Sequence, residues 1–335
     1  MNILFVHPPE GNAYELFKAF KKNINCKIKL LSIEKGKQFS FLDKIRFKLK
    51  LPTDLYSYNQ LLIDVDLSEF NIVFIVKGIA LKSKTLKKLK NKYPNLKIIS
   101  WSQDDMYAWH NRSIYYTLGL KHYDLVTTTK TYNIKELKKL GAKKIYFHNK
   151  AYSQHIHFPV HNLKSKYSHD VVFIGTLETE RFESMNYLAK KGIVVNIYTN
   201  SFNDSKFAKH HKNLIIHKGG LFGKEYAEAI TNSKITLCFL RKINRDLQTS
   251  RSIEIPACGG CMLAERTVEH LSLFEENKEA MYFESDPELL QKIQNLLEND
   301  TLRSEIVKNA LNRCKVSGYS YQDLAKKLVL EFNQI

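Results

Sequence analysis

The chain has 335 residues, 44% of them hydrophobic, and its 52 Lys and Arg against 34 Asp and Glu give a formal net charge of +18. That length suits two domains of ordinary size, the apolar content excludes general disorder, and 13 Gly with 7 Pro exclude fibrous and low-complexity classes. No apolar run reaches the roughly 18–20 residues that span a bilayer, and the opening MNILFVHPPEG lacks a basic n-region and a cleavage site, so a cytoplasmic setting is expected.

The first half alternates apolar runs with amphipathic ones. Asn2–His7, Lys27–Ser32, Asn71–Val76, Leu96–Trp101, Asp124–Thr128 and Lys144–His148 read as strands. Helical spacing falls at Ala13–Lys22, Lys82–Lys92, Arg112–Leu118 and Tyr132–Leu140. The strand runs are continuous Ile, Val, Leu and Phe, as expected when helices cover both faces of a parallel sheet.

Gly11 after the first strand and Lys77–Gly78 after the third take equivalent rim positions and are acceptor-side candidates. His110 and His7 are candidates for the same rim, with a purely structural histidine as the alternative. Asp104–Asp105 follows the strand Leu96–Trp101; adjacent carboxylates point different ways, so one caps the next helix while the other is available to a hydroxyl. Lys35–Leu51 mixes Phe39, Phe41, Leu42, Ile45 and Leu49 with Lys44, Arg46, Lys48 and Lys50. As a helix it has the makeup of one that dips into an anionic leaflet; an ordinary helix packed on the first domain is the alternative.

Ala151–His169, with Pro159 and several His and Ser, reads as a linker. The pattern then restarts. Strands are expected at Asp170–Ile174, Val194–Tyr198, Asn213–Ile216, Ile235–Phe239 and Cys261–Ala264. Helices are expected at Glu180–Lys190, Gly223–Thr231, Ser250–Ala257, Pro287–Leu297, Leu302–Cys314 and Gln322–Phe332. Gly175 ends the first strand of this half, where a backbone without Cβ lets a ligand approach, and a simple turn serves equally well. The basic excess belongs almost wholly to the first half: residues 1–160 hold 28 Lys and Arg against 12 Asp and Glu, residues 161–335 hold 24 against 22. A basic first domain implies an anionic partner: lipid headgroups, a phosphorylated acceptor or nucleic acid.

Nine arginines stand among 43 lysines, and Arg241, Arg245 and Arg251 fall within eleven residues. Guanidinium forks suit bidentate phosphate binding, so Arg251 with Arg241 or Lys242 is expected to hold a diphosphate. In TSRSIEIPACGGCMLAE (249–265), Thr249 or Ser250 caps a helix that Gly259 and Gly260 stop. Arg251 lies in its first turn, where the dipole favours an anion, and Glu254 shares its face. Either the two form an intrahelical ion pair, or they meet a ligand carrying both phosphate and sugar hydroxyls, a nucleotide sugar. Cys258 and Cys261 form a C-x-x-C with no second pair, since Cys26, Cys238 and Cys314 are isolated; buried packing is the expectation.

RSIEIPACGGCML, continuing through Phe274, Glu275, Lys278, Glu279 and the Asp286–Leu297 helix, resembles the C-terminal signature of the CgeB-type (spore-maturation) glycosyltransferase group. That group is related to the large retaining GT-B glycosyltransferases. The resemblance is specific there and looser upstream, where Gly175 followed by Arg181 and the Trp-x-x-Asp-Asp of Asp104–Asp105 are similar to the group's pattern. IIHKGGLFGKEY (215–226) resembles the stretch that lies against the nucleotide base, which implies roles for His217, Gly219 and Gly220. The retaining relatives often carry two glutamates seven apart; here Asp246 stands eight before Glu254.

The resemblance implies a GT-B fold, two Rossmann-like α/β domains facing across a cleft with the C-terminal helix crossing back to the first. The expected division is an acceptor domain at 1–160, a donor domain at 161–315 and a crossover helix at 316–335. The expected function is transfer of a sugar from a nucleoside-diphosphate sugar to an anionic or lipid-linked glycan, retaining and metal-independent, with no cofactor beyond that co-substrate. Localisation is expected in the cytoplasm or on the inner face of the cell membrane. The alternative is a non-enzymatic nucleotide sensor or nucleic-acid binder using the basic half, although no specific nucleic-acid reader motif occurs.

Overall fold

The computed structural model describes the chain except residues 8–10, 24–26, 32–39, 163, 203–206 and 208. Cys26, Ser32 and the Lys35–Phe39 part of the basic segment therefore lie outside the described residues. The protein folds as two compact units, Met1–Asn149 with Ile243–Arg245 and Tyr321–Ile335, and Lys150–Lys242 with Asp246–Ser320.

The first unit begins β1 (Asn2–Val6), α1 (Gly11–Asn23), β2 (Lys27–Leu31), α2 (Phe41–Lys48), α3 (Tyr58–Asp64), β3 (Ile72–Val76) and α4 (Ser83–Lys92). It continues with β4 (Lys97–Trp101), α5 (Ile114–Gly119), β5 (Leu125–Thr128), α6 (Asn133–Lys139) and β6 (Ile145–Phe147). The sheet is parallel throughout, in the order β2-β1-β3-β4-β5-β6. IVFIV of β3 is buried at every position, which is why its pattern is a run rather than an alternation. One face packs Leu4, Val73, Ile98 and Val126 against Leu86, Leu89 and Tyr116. The other stacks Phe5 on Phe74 at 4.7 Å between ring centroids, with Phe20 and Phe332 beside them.

The second unit runs β7 (Val171–Ile174), α7 (Thr179–Lys190), β8 (Val195–Thr199), β9 (Leu214–Lys218), α8 (Gly223–Asn232), β10 (Ile235–Cys238) and α9 (Arg251–Ala257). After these come β11 (Met262–Glu265), α10 (Val268–Leu273), β12 (Met281–Phe283), α11 (Asp286–Glu298) and α12 (Asp300–Val316). Its sheet is also parallel, ordered β12-β11-β10-β7-β8-β9. The order reverses between β7 and β10, and open α/β sheets bind ligands outside the strand carboxyl ends at such a switch point. The closing helix α13 (Tyr321–Phe332) belongs to the first unit, where Phe332 meets Phe20 at 6.2 Å.

The strands and helices expected from periodicity all form, with ends shifted by one or two residues. Three further elements form that periodicity did not signal: α3, α10 and β12. Each is short, so few positions repeat. The first turn of α3 is held from outside, by Asp54 accepting from the Tyr58 and Asn59 amides at 2.8 Å each. Among the described residues no helix is long and apolar enough to cross a membrane.

Candidate functional site

Gly175 sits just past the carboxyl end of β7, at the switch point. Its amide donates to Tyr198 O at 3.0 Å, and beside it the Gly219 amide donates to Thr199 O at 2.9 Å. Gly220 follows, its amide held by Asn200 Oδ1 at 2.6 Å. The turns after β7, β8 and β9 thus form one rim, stitched by backbone bonds and by Asn200, a residue that sequence reasoning missed. A Cβ at Gly220 would lie 2.8 Å from Asn200 Nδ2, so the bare backbone is required there.

Arg251 reaches this rim from the first turn of α9. A Cβ built on Gly175 would stand 2.9 Å from Arg251 Nη1 and 3.2 Å from its Cζ, so glycine makes room for a guanidinium. The Phe173 ring lies 5.9 Å from Arg251 and 6.0 Å from Arg181. Arg181 is almost fully buried, donating to Leu240 O and Thr176 O while its Nη2 has no hydrogen-bond partner. Arg251 Nε is likewise buried and unpartnered, and Arg251 enters no ion pair among the described residues. Burial and then the neighbouring Arg251 charge push the Arg181 pKa down, the signature of a positive site short of anions. The carboxylate that Arg181 has nearby, Glu178 at 3.7 Å, is shared with Arg241 at 2.8 Å.

The intrahelical Arg251–Glu254 pair, one of the two alternatives from spacing, does not form. Glu254 instead accepts from Tyr226 Oη at 3.0 Å and faces His157 Nε2 at 3.9 Å. The His157 Nδ1 accepts the Ser153 amide at 3.0 Å, so the neutral ring carries its proton on the nitrogen toward Glu254. Tyr226 is on α8 and His157 in the irregular stretch before β7; no local signal marked either.

The expected cap by Thr249 or Ser250 is corrected: Ser250 is already helical and makes no side-chain cap bond. Ser252 does that work from inside the helix, its Oγ accepting the Thr249 amide at 2.9 Å and bonding His270 Nε2 at 2.7 Å. His270 Nδ1 donates to Glu265 O at 2.6 Å, so Nε2 is the acceptor and the buried ring is neutral. Burial pushes its pKa below 6.5. The unfolded chain therefore binds a proton that the folded one refuses, and this contribution is intact above about pH 6.5 and lost as pH falls. Urea unfolding between about pH 7.5 and 5.5 should show wild type losing up to about 1.4 kcal/mol per pH unit more than His270→Gln. Parallel pH profiles for the two would remove this role.

The remaining candidates are placed as follows. His217 is spent: cross-strand from Tyr198 in the β8–β9 register, it stacks on that ring at 4.3 Å and bonds Asn196 Oδ1 at 3.0 Å. One face of the ring is therefore covered, and burial pushes its pKa down. Arg241 pairs with Glu178, and Lys242 with Glu265 at 2.5 Å, so neither joins Arg251 as an unpaired cation. The Asp246 amide donates to Arg241 O at 3.2 Å. The Phe274–Glu279 stretch is a self-bonded turn, Lys278 to Glu275 at 2.6 Å and the Glu275 amide to Glu279 at 2.8 Å. All four described cysteines are free and buried, with the Cys261 thiol pushed up to about 12 by burial and that of Cys258 also raised, in keeping with packing.

In the first unit, Asp105 is fully buried. It accepts the Tyr107 and Ala108 amides at 3.1 Å, Asn133 Nδ2 at 2.9 Å and Arg245 Nε at 2.7 Å. Its acceptor capacity is filled, so it is not placed to take a proton from a hydroxyl. Arg245 also forks onto Glu136 at 2.9 Å twice and lies 4.6 Å from the Tyr132 ring; the Glu136 and then Asp105 hydrogen bonds push its pKa up. The arginine expected near Arg251 is thus committed to the first unit. Asp104 pairs with Lys77, which has φ 59° beside Gly78. Gly11 opens α1 with φ 69°, and His110 bonds Asn244 Oδ1 at 3.0 Å.

A cavity of about 280 Å³ lies at the ends of β10, β11 and β12, lined by Glu178, Arg181, Lys242, Glu265, Arg266 and Glu284 among others. Of its cations, Lys242 pairs with Glu265 and Arg266 with Glu276 and Glu284, while Arg181 keeps an Nη2 without a hydrogen-bond partner. Among the described residues no three of His, Cys, Asp or Glu are grouped to hold a metal ion.

Residues 178–329 match the family model described as glycosyl transferase-like, which takes in Arg181, Arg251 and Glu254. The fold is shared with solved structures over the whole chain. Sucrose-phosphate synthase from Thermosynechococcus elongatus superimposes with a TM-score of 0.71 at 11% identity, covering 100% of this chain and 98% of that one. The chain has the GT-B fold, and its residues 178–329 carry the glycosyl transferase-like match. HepE of Anabaena, solved in complex with UDP and glucose, gives 0.65 at 11% identity and covers all of both chains. A glycosyltransferase from Rickettsia africae gives 0.64 at 14%, covering 99% and 98%. No curated protein sequence matches. The matched stretch carries the guanidinium of Arg251, which enters no ion pair among the described residues.

The geometry gives one direct check. Gly175→Ala should still fold, because the nearest atom a methyl meets is the movable end of Arg251, with Phe173 Cζ next at 3.3 Å, and it should push that guanidinium off the rim. We expect a melting temperature lowered by a few degrees at most and roughly tenfold weaker binding of a nucleoside diphosphate by calorimetry. Equal affinity would show that Arg251 does not act from this position.

Proposed function

We propose that residues 161–315 bind a nucleoside-diphosphate sugar and that the enzyme passes the sugar to an anionic or lipid-linked glycan held by the basic residues 1–160. The observation that carries this reading is the pair Arg181 and Arg251 at Gly175, two neighbouring cations with unpartnered buried N–H groups. A diphosphate supplies the missing acceptors and cancels the like-charge repulsion. Glu254, held by Tyr226, accepts from a ribose or sugar hydroxyl, and the base lies along Gly219, Gly220 and Asn200. The complex of HepE with UDP and glucose supports this class of donor.

As the glycosidic bond to phosphate breaks, negative charge grows on the departing diphosphate, and fixed guanidinium donors stabilise that charge more than they stabilise the ground state. In a retaining reaction, implied by the CgeB-type resemblance, the departing phosphate takes the acceptor proton and no separate base is required. Asp105 then serves as a positioning residue for Arg245, and Asp104 with Lys77 lies on the acceptor side. We place the reaction in the cytoplasm, at the inner face of the membrane.

A thermal-shift screen with UDP, GDP, ADP and CMP tests the donor site. One diphosphate should raise Tm in a concentration-dependent way, and saturation at about 100 Kd corresponds to roughly 2.7 kcal/mol. No shift with any of the four, or an equal shift in Arg251→Ala, removes the reading.

A further inference from the structure

The helix α2 (Phe41–Lys48) buries none of its residues, although its sequence is rich in large apolar side chains. A capping box closes its start, with Ser40 and Asp43 bonding each other reciprocally, and those bonds hold the Asp43 carboxyl at about 2. The helix is therefore locally built, and its large apolar side chains stay exposed. Phe41, Leu42, Ile45 and Leu49 fall on one face at helical spacing, and Phe41, Leu42 and Leu49 are 75%, 69% and 62% exposed. Lys44 and Lys48 flank that face on one side and Arg46 on the other.

A second element approaches α2 on its Phe47 side, opposite that face. Lys50, with φ 63°, turns the chain after α2, and its carbonyl accepts the Ile114 amide at 2.9 Å, which brings the segment before α5 alongside. The Lys50 ammonium lies 5.7 Å from the rings of both Phe47 and Trp109. Trp109 is 58% exposed, and the Arg112 guanidinium lies 5.5 Å from its ring. On the other face of α2, exposed Phe, Leu and Ile bordered by Lys and Arg have the composition of a surface that sits at the acyl–headgroup boundary, apolar groups inward and cationic groups at the phosphates. The exposure of Phe41, Leu42 and Leu49 favours this reading over that of a helix packed on the first unit.

We propose that α2 forms a docking surface for an anionic lipid bilayer, with Phe41, Leu42, Ile45 and Leu49 inserted and Lys44, Arg46 and Lys48 at the headgroups. Charge complementarity selects the occupant: the face carries three cations on α2 and belongs to the half of the chain with 28 Lys and Arg against 12 Asp and Glu. This gives the lipid-linked acceptor of the proposed reaction a surface to be met on, but it uses no residue of the sugar-donor site.

The experiment is sedimentation of the full chain with vesicles of phosphatidylcholine alone and of phosphatidylcholine mixed with phosphatidylglycerol. Wild type is compared with Phe41→Ser/Leu42→Ser and with Lys44→Glu/Lys48→Glu. Wild type should pellet with the mixed vesicles and stay in solution with phosphatidylcholine alone, and each double variant should lose at least ~10-fold in partition. The side chains changed are exposed, so melting temperatures and the nucleotide-induced thermal shift should stay at wild-type values. Absence of wild-type binding, equal binding to both vesicles, or variants that bind like wild type overturns the inference. So does light scattering in which wild type self-associates, binds neither vesicle and becomes monomeric in Phe41→Ser/Leu42→Ser, because the face then joins two copies of the chain. Failure here with an intact nucleotide shift leaves the donor reading standing.

Discussion

Arg251→Ala should lower kcat/KM by about 10²- to 10³-fold, the range seen when one fixed donor to a developing charge is removed. Arg251 has an unpartnered buried Nε, no carboxylate and a position against Gly175, so nothing in the fold depends on its charge. Melting temperature should hold or rise, because removing it relieves the repulsion that pushes the Arg181 pKa down. Arg251→Lys should recover little, since an ammonium cannot present the planar fork. Steady-state kinetics together with a nucleotide titration of each variant separates the outcomes. If kcat/KM is preserved while the melting temperature drops, Arg251 is a structural residue and the anion site lies elsewhere.

The second large effect is on stability. Arg245→Ala should destabilise the first unit by roughly 2–4 kcal/mol, because it leaves the fully buried Asp105 carboxylate without its cation. The estimate sits toward the low side of the range for broken buried pairs because two backbone amides and Asn133 still donate to Asp105. Glu136→Gln, on the more exposed carboxylate of the same fork, should cost about 1 kcal/mol or less. Denaturant midpoints give the comparison, and a double-mutant cycle between Arg245 and Asp105 isolates their coupling. A coupling near zero would mean that Asp105 is held by the two backbone amides and Asn133 alone.

Much of the architecture was legible because it rests on local rules. Continuous runs such as IVFIV and VVFI can only be strands covered on both sides, and amphipathic spacing between them implies crossover helices and parallel order. Gly175 was legible too, as the residue that ends such a strand. The partners of each polar side chain were not. Arg241, Arg245 and Arg251 are near neighbours in sequence and were read as one cluster; Arg241 pairs with Glu178, Arg245 reaches Asp105 and Glu136, and Arg251 alone stays without an ion pair. Spacing fixes which residues share a turn, but ion pairing is decided by what other elements bring within 4 Å.

The same division holds across the molecule. From residue order alone came the two parallel α/β units, the glycine at the switch point, the helix headed by Arg251 and the basic amphipathic segment, because backbone preference and burial pattern repeat along the chain. Only the tertiary structure decided that Glu254 answers to Tyr226 and His157 rather than to Arg251, that His217 is covered by Tyr198, that Asp105 is saturated, and that α2 buries none of its residues. Those outcomes depend on contacts between residues far apart in sequence, whose distances no periodicity encodes.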